Sequence, residues 1–295
     1  VSAENRLNFD LHNHTSASDG VLTPEALINL AARNLCDGLA ITDHDTVASI
    51  AVATKAARDL APRLKFIAGV EISVSWQPDD DLDARPTTIH VVGLNIDPAN
   101  TELNAGLASV RGGRILRGRA IAEQLVAAGL PDLFDDAYAA AENKDMLSRT
   151  HFGRALVARG IVPDISSAFD RFLTPGNPGF VPHRWANLVD AVRWITAAGG
   201  IAVLAHPARY RLDSQDTDKL FASFRDCGGV AVEVVTGSHS PDEYPHIARL
   251  TRRFGLMASR GADYHAPGET PIEPGRLPTL ADVDDRLDPV WRLLH

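Results

Sequence analysis

Phe9-Asp10-Leu11-His12-Asn13-His14-Thr15 is a short apolar run that ends in two histidines two residues apart. Side chains alternate along an extended segment, so His12 and His14 point to the same side. Leu7-Asn8-Phe9 reads as a short buried strand, and both imidazoles would leave its C-terminal end together. The pattern recurs. Asp19 follows closely, and then come Ile41-Thr42-Asp43-His44-Asp45, Gly69-Val70-Glu71, Ile89-His90, Leu204-Ala205-His206-Pro207 and Gly261-Ala262-Asp263-Tyr264-His265. Most of these follow a short apolar run.

Between these motifs lie helical patterns. Thr23 caps a helix through Arg33 with Pro24 at its first position, and further helices are expected over 46–60, 188–198, 215–227 and 242–254. Strands are expected over 7–11, 38–42, 65–74, 88–96, 201–205, 230–235 and 256–259. Repeated βα units argue for a parallel sheet, open or closed. Ligand-type residues near the ends of nearly every strand favour a closed sheet, because a (β/α) barrel gathers its functional residues on that rim, whereas a doubly wound sheet binds at one switch point. The fold expected is α/β, a distorted seven-stranded (β/α) barrel. Residues 99–184 hold no β-type run. One long helix is expected over 104–128 and shorter ones over 133–141, 150–159 and 165–172. The division expected is a first barrel part, 1–98, a helical insertion or lid, 99–184, and a second barrel part, 185–295. Residues 78–83 read as a solvated acidic hairpin tip.

The 295 residues suit such a barrel, and 45% hydrophobic residues can fill its core. A formal net charge of −9 excludes a bulk electrostatic grip on nucleic acid, though not local binding of a small nucleotide or an RNA end. Cys36 and Cys227 are the only cysteines, which fits a reducing cytoplasm. No signal-like N-terminal segment and no apolar run long enough for a membrane span is present.

Six of the eleven histidines belong to the recurring motifs: His12, His14, His44, His90, His206 and His265. Neutral imidazoles mixed with carboxylates suit Mn, Fe or Zn. With Asp19, Glu71 and Asp263 the set has nine donors, enough for two or three divalent ions. Glu71 lies among apolar strand residues, where an unpaired carboxylate would be costly, and is the natural bridging ligand. Asp43 and Asp45 read either as helix N-caps or, for Asp43, as a group orienting a ligand.

These motifs resemble the PHP family, named for polymerase and histidinol phosphatase. The resemblance rests on His12-x-His14, Thr42-Asp43-His44, Glu71 after Gly69-Val70, and Asp263-x-His265, and covers residues 7–98 and 185–268. It implies a distorted barrel with a trinuclear centre. By that resemblance His12, His14, Glu71 and Asp263 hold one ion, Glu71, His90 and His206 a second, and Asp19, His44 and His265 a third. Asp19 departs from histidinol-phosphatase-like members, which often carry histidine there. A branch of stand-alone bacterial PHP phosphoesterases is more similar, through Thr15 to Glu25, Ser148-Arg149-Thr150-His151-Phe152-Gly153-Arg154, His206-Pro207-Ala208-Arg209-Tyr210 and Gly237-Ser238-His239-Ser240. That branch implies action on nucleoside 3′,5′-bisphosphates or on the 5′ ends of short RNA.

Arg149, His151 and Arg154 begin a helix, where arginine forks and the helix terminus both favour phosphate. Arg209 and Tyr210 should line the rim, Tyr210 by stacking. Arg149, His206 and His239 are the expected catalytic residues, His239 as a substrate contact or a proton donor. Arg111, Arg114, Arg117 and Arg119 read as a solvated helix face, with an RNA-tracking face as the sharper alternative. The reaction expected is phosphoester hydrolysis by a metal-activated hydroxide with Mn as first choice. A histidinol-phosphate-type phosphatase, a C–N amidohydrolase and an inactive interaction module are the alternatives.

Overall fold

A computed structural model describes residues 3–78 and 86–294. Seven strands form one sheet in sequence order: β1 (Phe9–Asp10), β2 (Gly38–Ile41), β3 (Lys65–Trp76), β4 (Thr87–Leu94), β5 (Ile201–Leu204), β6 (Ala231–Thr236) and β7 (Met257–Gly261). The sheet nearly closes on itself. Leu11 N–H donates to Arg260 O at 2.8 Å, Asp263 N–H to His12 O at 2.9 Å, and His14 N–H to Tyr264 O at 2.9 Å. Gly261 sits in this seam, and a Cβ there would lie 2.4 Å from the His12 Cβ. Only glycine lets the two backbones approach so closely. The expected seven-stranded barrel is therefore the fold.

It is not parallel throughout. β4 runs antiparallel to both β3 and β5, while the other neighbours are parallel. Only ten residues separate the end of β3 from the start of β4, and antiparallel neighbours need no crossover helix. The inversion puts His90, near the start of β4, level with Ser73 of β3. Residues 79–83 of the acidic stretch lie outside the described residues.

Helices cover the sheet. α1 (Pro24–Arg33) starts as expected, with the Thr23 hydroxyl receiving the Ala26 amide. α2 (Ile50–Leu60) begins four residues later than expected, at the cap Ser49. The preceding turn is drawn inward because Asp43 takes the Ser49 hydroxyl and Asp45 adopts φ 47°. Neither aspartate caps the helix.

The single helix expected over 104–128 is two, α3 (Thr101–Arg111) and α4 (Arg114–Ala127), separated at Gly112-Gly113. A Cβ on Gly113 would meet the His183 ring at 2.5 Å. α3 lends Leu103, Leu107 and Val110 to the barrel core. α4, α5 (Phe134–Ala140), α6 (Arg149–Ala158) and α7 (Ile165–Ala168), with the π-helical turn Phe169–Leu173, enclose a second core around Leu125, Phe152, Leu156 and Leu173. α8 (Leu188–Ala197), α9 (Ser214–Asp226), α10 (Tyr244–Arg253) and α11 (Leu280–Val283) complete the outer layer.

Candidate metal centre and substrate cleft

All nine predicted donors converge at one rim of the barrel. Glu71, fully buried in β3, lies at the centre. Its Oε1 is 3.2 Å from His12 Nε2, 2.8 Å from His90 Nδ1 and 3.1 Å from His206 Nε2, and its Oε2 is 2.7 Å from His44 Nδ1 and 3.4 Å from His14 Nε2. Asp263 Oδ1 lies 3.2 Å from His14 Nε2 and 3.5 Å from His12 Nε2. Asp19 Oδ1 lies 3.4 Å from His265 Nε2 and 3.8 Å from His44 Nε2. Three overlapping groups have metal-ligand spacing: His12, His14 and Glu71; His44, Glu71 and His90; and His14, Asp19, His44 and His265.

The donors fit divalent ions. His12 Nε2 and His14 Nε2 approach to 3.2 Å. Two imidazole nitrogens bound at about 2.1 Å to one ion would be about 3–3.5 Å apart. Glu71 Oε2, Asp19 Oδ1 and His44 Nδ1 are buried with no partner in hydrogen-bond geometry. Buried polar atoms without partners are costly, and a cation would satisfy them.

Charge within the cluster is balanced by pairing. Burial would push Glu71 up, but the imidazoles of His44, His90 and His12 hold it well below the usual carboxylate range. Burial opposes a proton on His44, yet Glu71 and Asp19 raise it to about 9. Burial, with His265 and His44 nearby, lowers His14 to about 4, and burial lowers His206 to about 3. His206 and Asp263 adopt φ 27° and 52°. Left-handed backbone at two site residues is strain that the surrounding hydrogen bonds must hold.

Other residues frame the donors. Glu233, in the middle of β6, accepts His12 Nδ1 at 2.6 Å through Oε1 and the His206 amide at 2.8 Å through Oε2. Its sequence signal, a carboxylate inside Ala231-Val232-Glu233-Val234-Val235, is the one that singled out Glu71, but it stands at no strand end. Asp43 accepts the Thr15 amide and hydroxyl, each at 2.7 Å, and the Ser18 hydroxyl at 2.6 Å, so it orders the loop that carries Asp19. Asp45 accepts the Ser73 amide at 2.8 Å and pairs with Arg114.

A cleft opens above the cluster. Asp19, His44, His90, His206, Asp263 and His265 lie along its floor, and Arg114, Arg117, Arg149, Arg209, Ser148, Phe169 and Trp185 line it further out. Arg114 and Arg117 thus face the cleft rather than forming a solvated helix face, and both lie over the Trp185 ring, 4.8 and 5.2 Å from its centre. Arg149 donates to Leu173 O and Arg117 to Val181 O, each to a carbonyl. Burial and neighbouring guanidiniums lower Arg117 to about 9 and Arg149 to about 10.

The remaining predicted residues are placed differently. His151 closes a capping box, its Nδ1 receiving the Ser148 amide at 3.1 Å. Arg154 forms a two-pronged pair with Glu269 at 2.8 and 2.7 Å. Arg209 reaches Asp263 at 3.3 Å. The Tyr210 hydroxyl donates to Ala205 O and accepts the His90 amide, which ties it to the backbone. His239 Nε2 accepts the Ala208 amide at 3.1 Å and steadies the turn after His206.

Residues 10–201 match the model of the PHP domain family, and the chain belongs to that family. It is 45% identical to a 3′,5′-nucleoside bisphosphate phosphatase of Chromobacterium violaceum, over 98% of this chain and 96% of that one. It is 41% identical to the 5′-3′ exoribonuclease Rnm of Salmonella typhimurium, over 88% of this chain and 85% of that one. Among solved structures, a Chromobacterium violaceum protein described as an amidohydrolase, with sulfate bound and no metal, superposes with a TM-score of 0.89 at 45% identity, covering 97% of this chain and 95% of its own. A putative metal-dependent phosphoesterase of Bifidobacterium adolescentis superposes with a TM-score of 0.79 at 25% identity, covering 98% and 94%.

Proposed function

We propose that this chain, a phosphoesterase hydrolase of the PHP type, acts on nucleotide phosphate esters: the 3′-phosphate of a nucleoside 3′,5′-bisphosphate and the first linkage at the 5′ end of a short RNA. The observation that carries this reading is a cleft with His and Asp donors on its floor and two cations, Arg117 and Arg149, whose hydrogen bonds are to carbonyls. Both substrates offer the same two groups. A phosphate on the 5′-oxygen can sit against the arginines while the ester on the 3′-oxygen lies over the floor. The curated relatives carry these two activities in their names.

The donor set suits two to three divalent ions, with Mn first and Fe or Zn as alternatives, held as the family resemblance implies. Bound ions would neutralise phosphoryl oxygens and lower the pKa of water. The chain supplies the rest. Arg149 and Arg117 hold the 5′-phosphate and so orient the ester. Arg209, beside Asp263, faces the oxygens on which charge grows in the transition state. Within residues 99–184, between barrel parts 1–98 and 185–295, α3 packs on the barrel core and the helices from α4 onward form the selecting element. Both cysteines are free, which suits a cytoplasmic enzyme, and no helix among the described residues is long and apolar enough to cross a membrane.

The test is turnover of an equimolar mixture of adenosine 3′,5′-bisphosphate and histidinol phosphate by the Mn-loaded protein. The bisphosphate should be consumed first, and a 5′-monophosphorylated oligoribonucleotide should be shortened. Preference for histidinol phosphate would overturn the reading.

A further inference from the structure

Asp10 and Asn13 lie beneath the cluster, both fully buried, and neither belongs to a group with metal-ligand spacing. Asp10 Oδ1 accepts the Asn13 side-chain amide and the Ala262 backbone amide, each at 2.9 Å, and Oδ2 accepts the Gly275 amide at 2.8 Å. The Asn13 side chain also donates to Ala40 O at 3.2 Å. Its backbone N–H donates to the Thr42 hydroxyl at 3.1 Å, and its carbonyl accepts the Thr42 amide at 2.9 Å.

These bonds join three strand ends. Asn13 stands between His12 and His14 on the segment leaving β1. Ala40 and Thr42 lead from β2 to His44. Ala262 leads from β7 to Asp263 and His265. Five of the nine donors therefore hang from backbone fixed by one buried carboxylate and one carboxamide. β1 itself is two residues long, and beyond it the segment is tied to its neighbours by single backbone bonds such as His14 N–H to Tyr264 O. The side-chain node adds to those bonds where the ligands diverge.

We propose that Asp10 and Asn13 are positioning residues that set the spacing of the ligand-bearing ends of β1, β2 and β7, and so set metal affinity without touching metal or substrate. The inference rests on the metal-site reading of the cluster. Groups that orient ligands typically change affinity 10–100-fold when removed.

The test uses the full chain as Asn13→Ala and Asp10→Ala, with Arg193→Ala, an exposed ion-pair residue on α8, as control. Mn affinity is measured by competition with a chelator, folding by circular dichroism, and kcat and KM at saturating Mn. Asn13→Ala should stay folded, bind Mn about tenfold or more weakly, and keep KM within about twofold once saturated. If Asp10→Ala does not fold, Asn13→Ala decides, because it leaves the bonds from Asp10 to Ala262 and Gly275 in place. A folded Asn13→Ala protein that melts lower but binds Mn like the wild type has only a structural residue at that position, and the proposal falls. Wild-type protein that binds no Mn would instead sink the metal-site reading.

Discussion

Glu233 grips the far side of His12. Its Oε1 stands 2.6 Å from Nδ1, while its Oε2 takes the backbone amide of His206 at 2.8 Å. Burial raises Glu233, and the same contact, with Glu71 and Asp263, holds His12 well above its ordinary value against the effect of burial. With Nδ1 committed as a donor to Glu233, Nε2, which faces Glu71, is the nitrogen that would give up its proton to an incoming ion. In Glu233→Gln one of the two N–H groups would face an amide NH₂. Mn affinity should fall about 10–100-fold, with KM at saturating Mn little changed, as read by chelator competition and steady-state kinetics.

Glu71 is within 3.4 Å of five histidines, whereas Asp19 meets two. Chelation should abolish activity and Mn should restore it. Glu71→Ala should lose more activity than Asp19→Ala, because its carboxylate serves more than one donor group. Elemental analysis after Mn loading should give two to three equivalents per chain. A value below one would refute a multinuclear centre.

Arg149→Ala should reduce turnover of the bisphosphate by about one to three orders of magnitude, the scale for losing one charge-stabilising donor, with metal content unchanged. Arg117→Ala should raise KM for the bisphosphate more than for 3′-AMP, which has no 5′-phosphate to lose. Equal losses on both substrates would place the second phosphate elsewhere, Arg209 being the nearest alternative.

His151 gives a pH signature unrelated to chemistry. Burial lowers it from 6.5 to about 4. A group with a depressed folded pKa binds its proton more readily when unfolded, so the stability it contributes is full above about pH 6.5 and is lost as pH falls towards 4. His151→Gln keeps an acceptor for the Ser148 amide, since glutamine is an ordinary third residue of a capping box. Its melting temperature at pH 7 should stay close to that of the wild type, and its fall between pH 6.5 and 4 should be shallower. Parallel melting curves would dismiss the effect.

The barrel and its donors were legible because most donors follow a run of strand-type residues, a local pattern. What escaped the sequence depends on partners far along the chain. Glu233 was hidden because its value lies in reaching His12 and His206. The inversion of β4 was half legible: a hairpin tip at 78–83 implies antiparallel pairing with β3, while repeated βα units suggested parallel pairing for the rest, β4 with β5 included. The break at Gly112-Gly113 lies where the His183 ring, seventy residues away, packs against Gly113. Arg114 and Arg117 carry the same charge as exposed Arg119, and only the fold brings them over Trp185 and, for Arg114, against Asp45. Arg154 and Tyr210 have side chains suited to phosphate or a base, and only the fold shows that Glu269 and two backbone groups claim them.

The second hydrophobic core has a consequence for how such an enzyme can diverge. Arg149 rides on a helical body that packs around its own interior, while the donors are anchored in the sheet. On the proposed role of Arg149, hydrolytic apparatus and anion reader are separately heritable. Substitutions along the edge of the small core can retune which nucleotide end is admitted, in the way a lock is re-keyed without replacing the bolt.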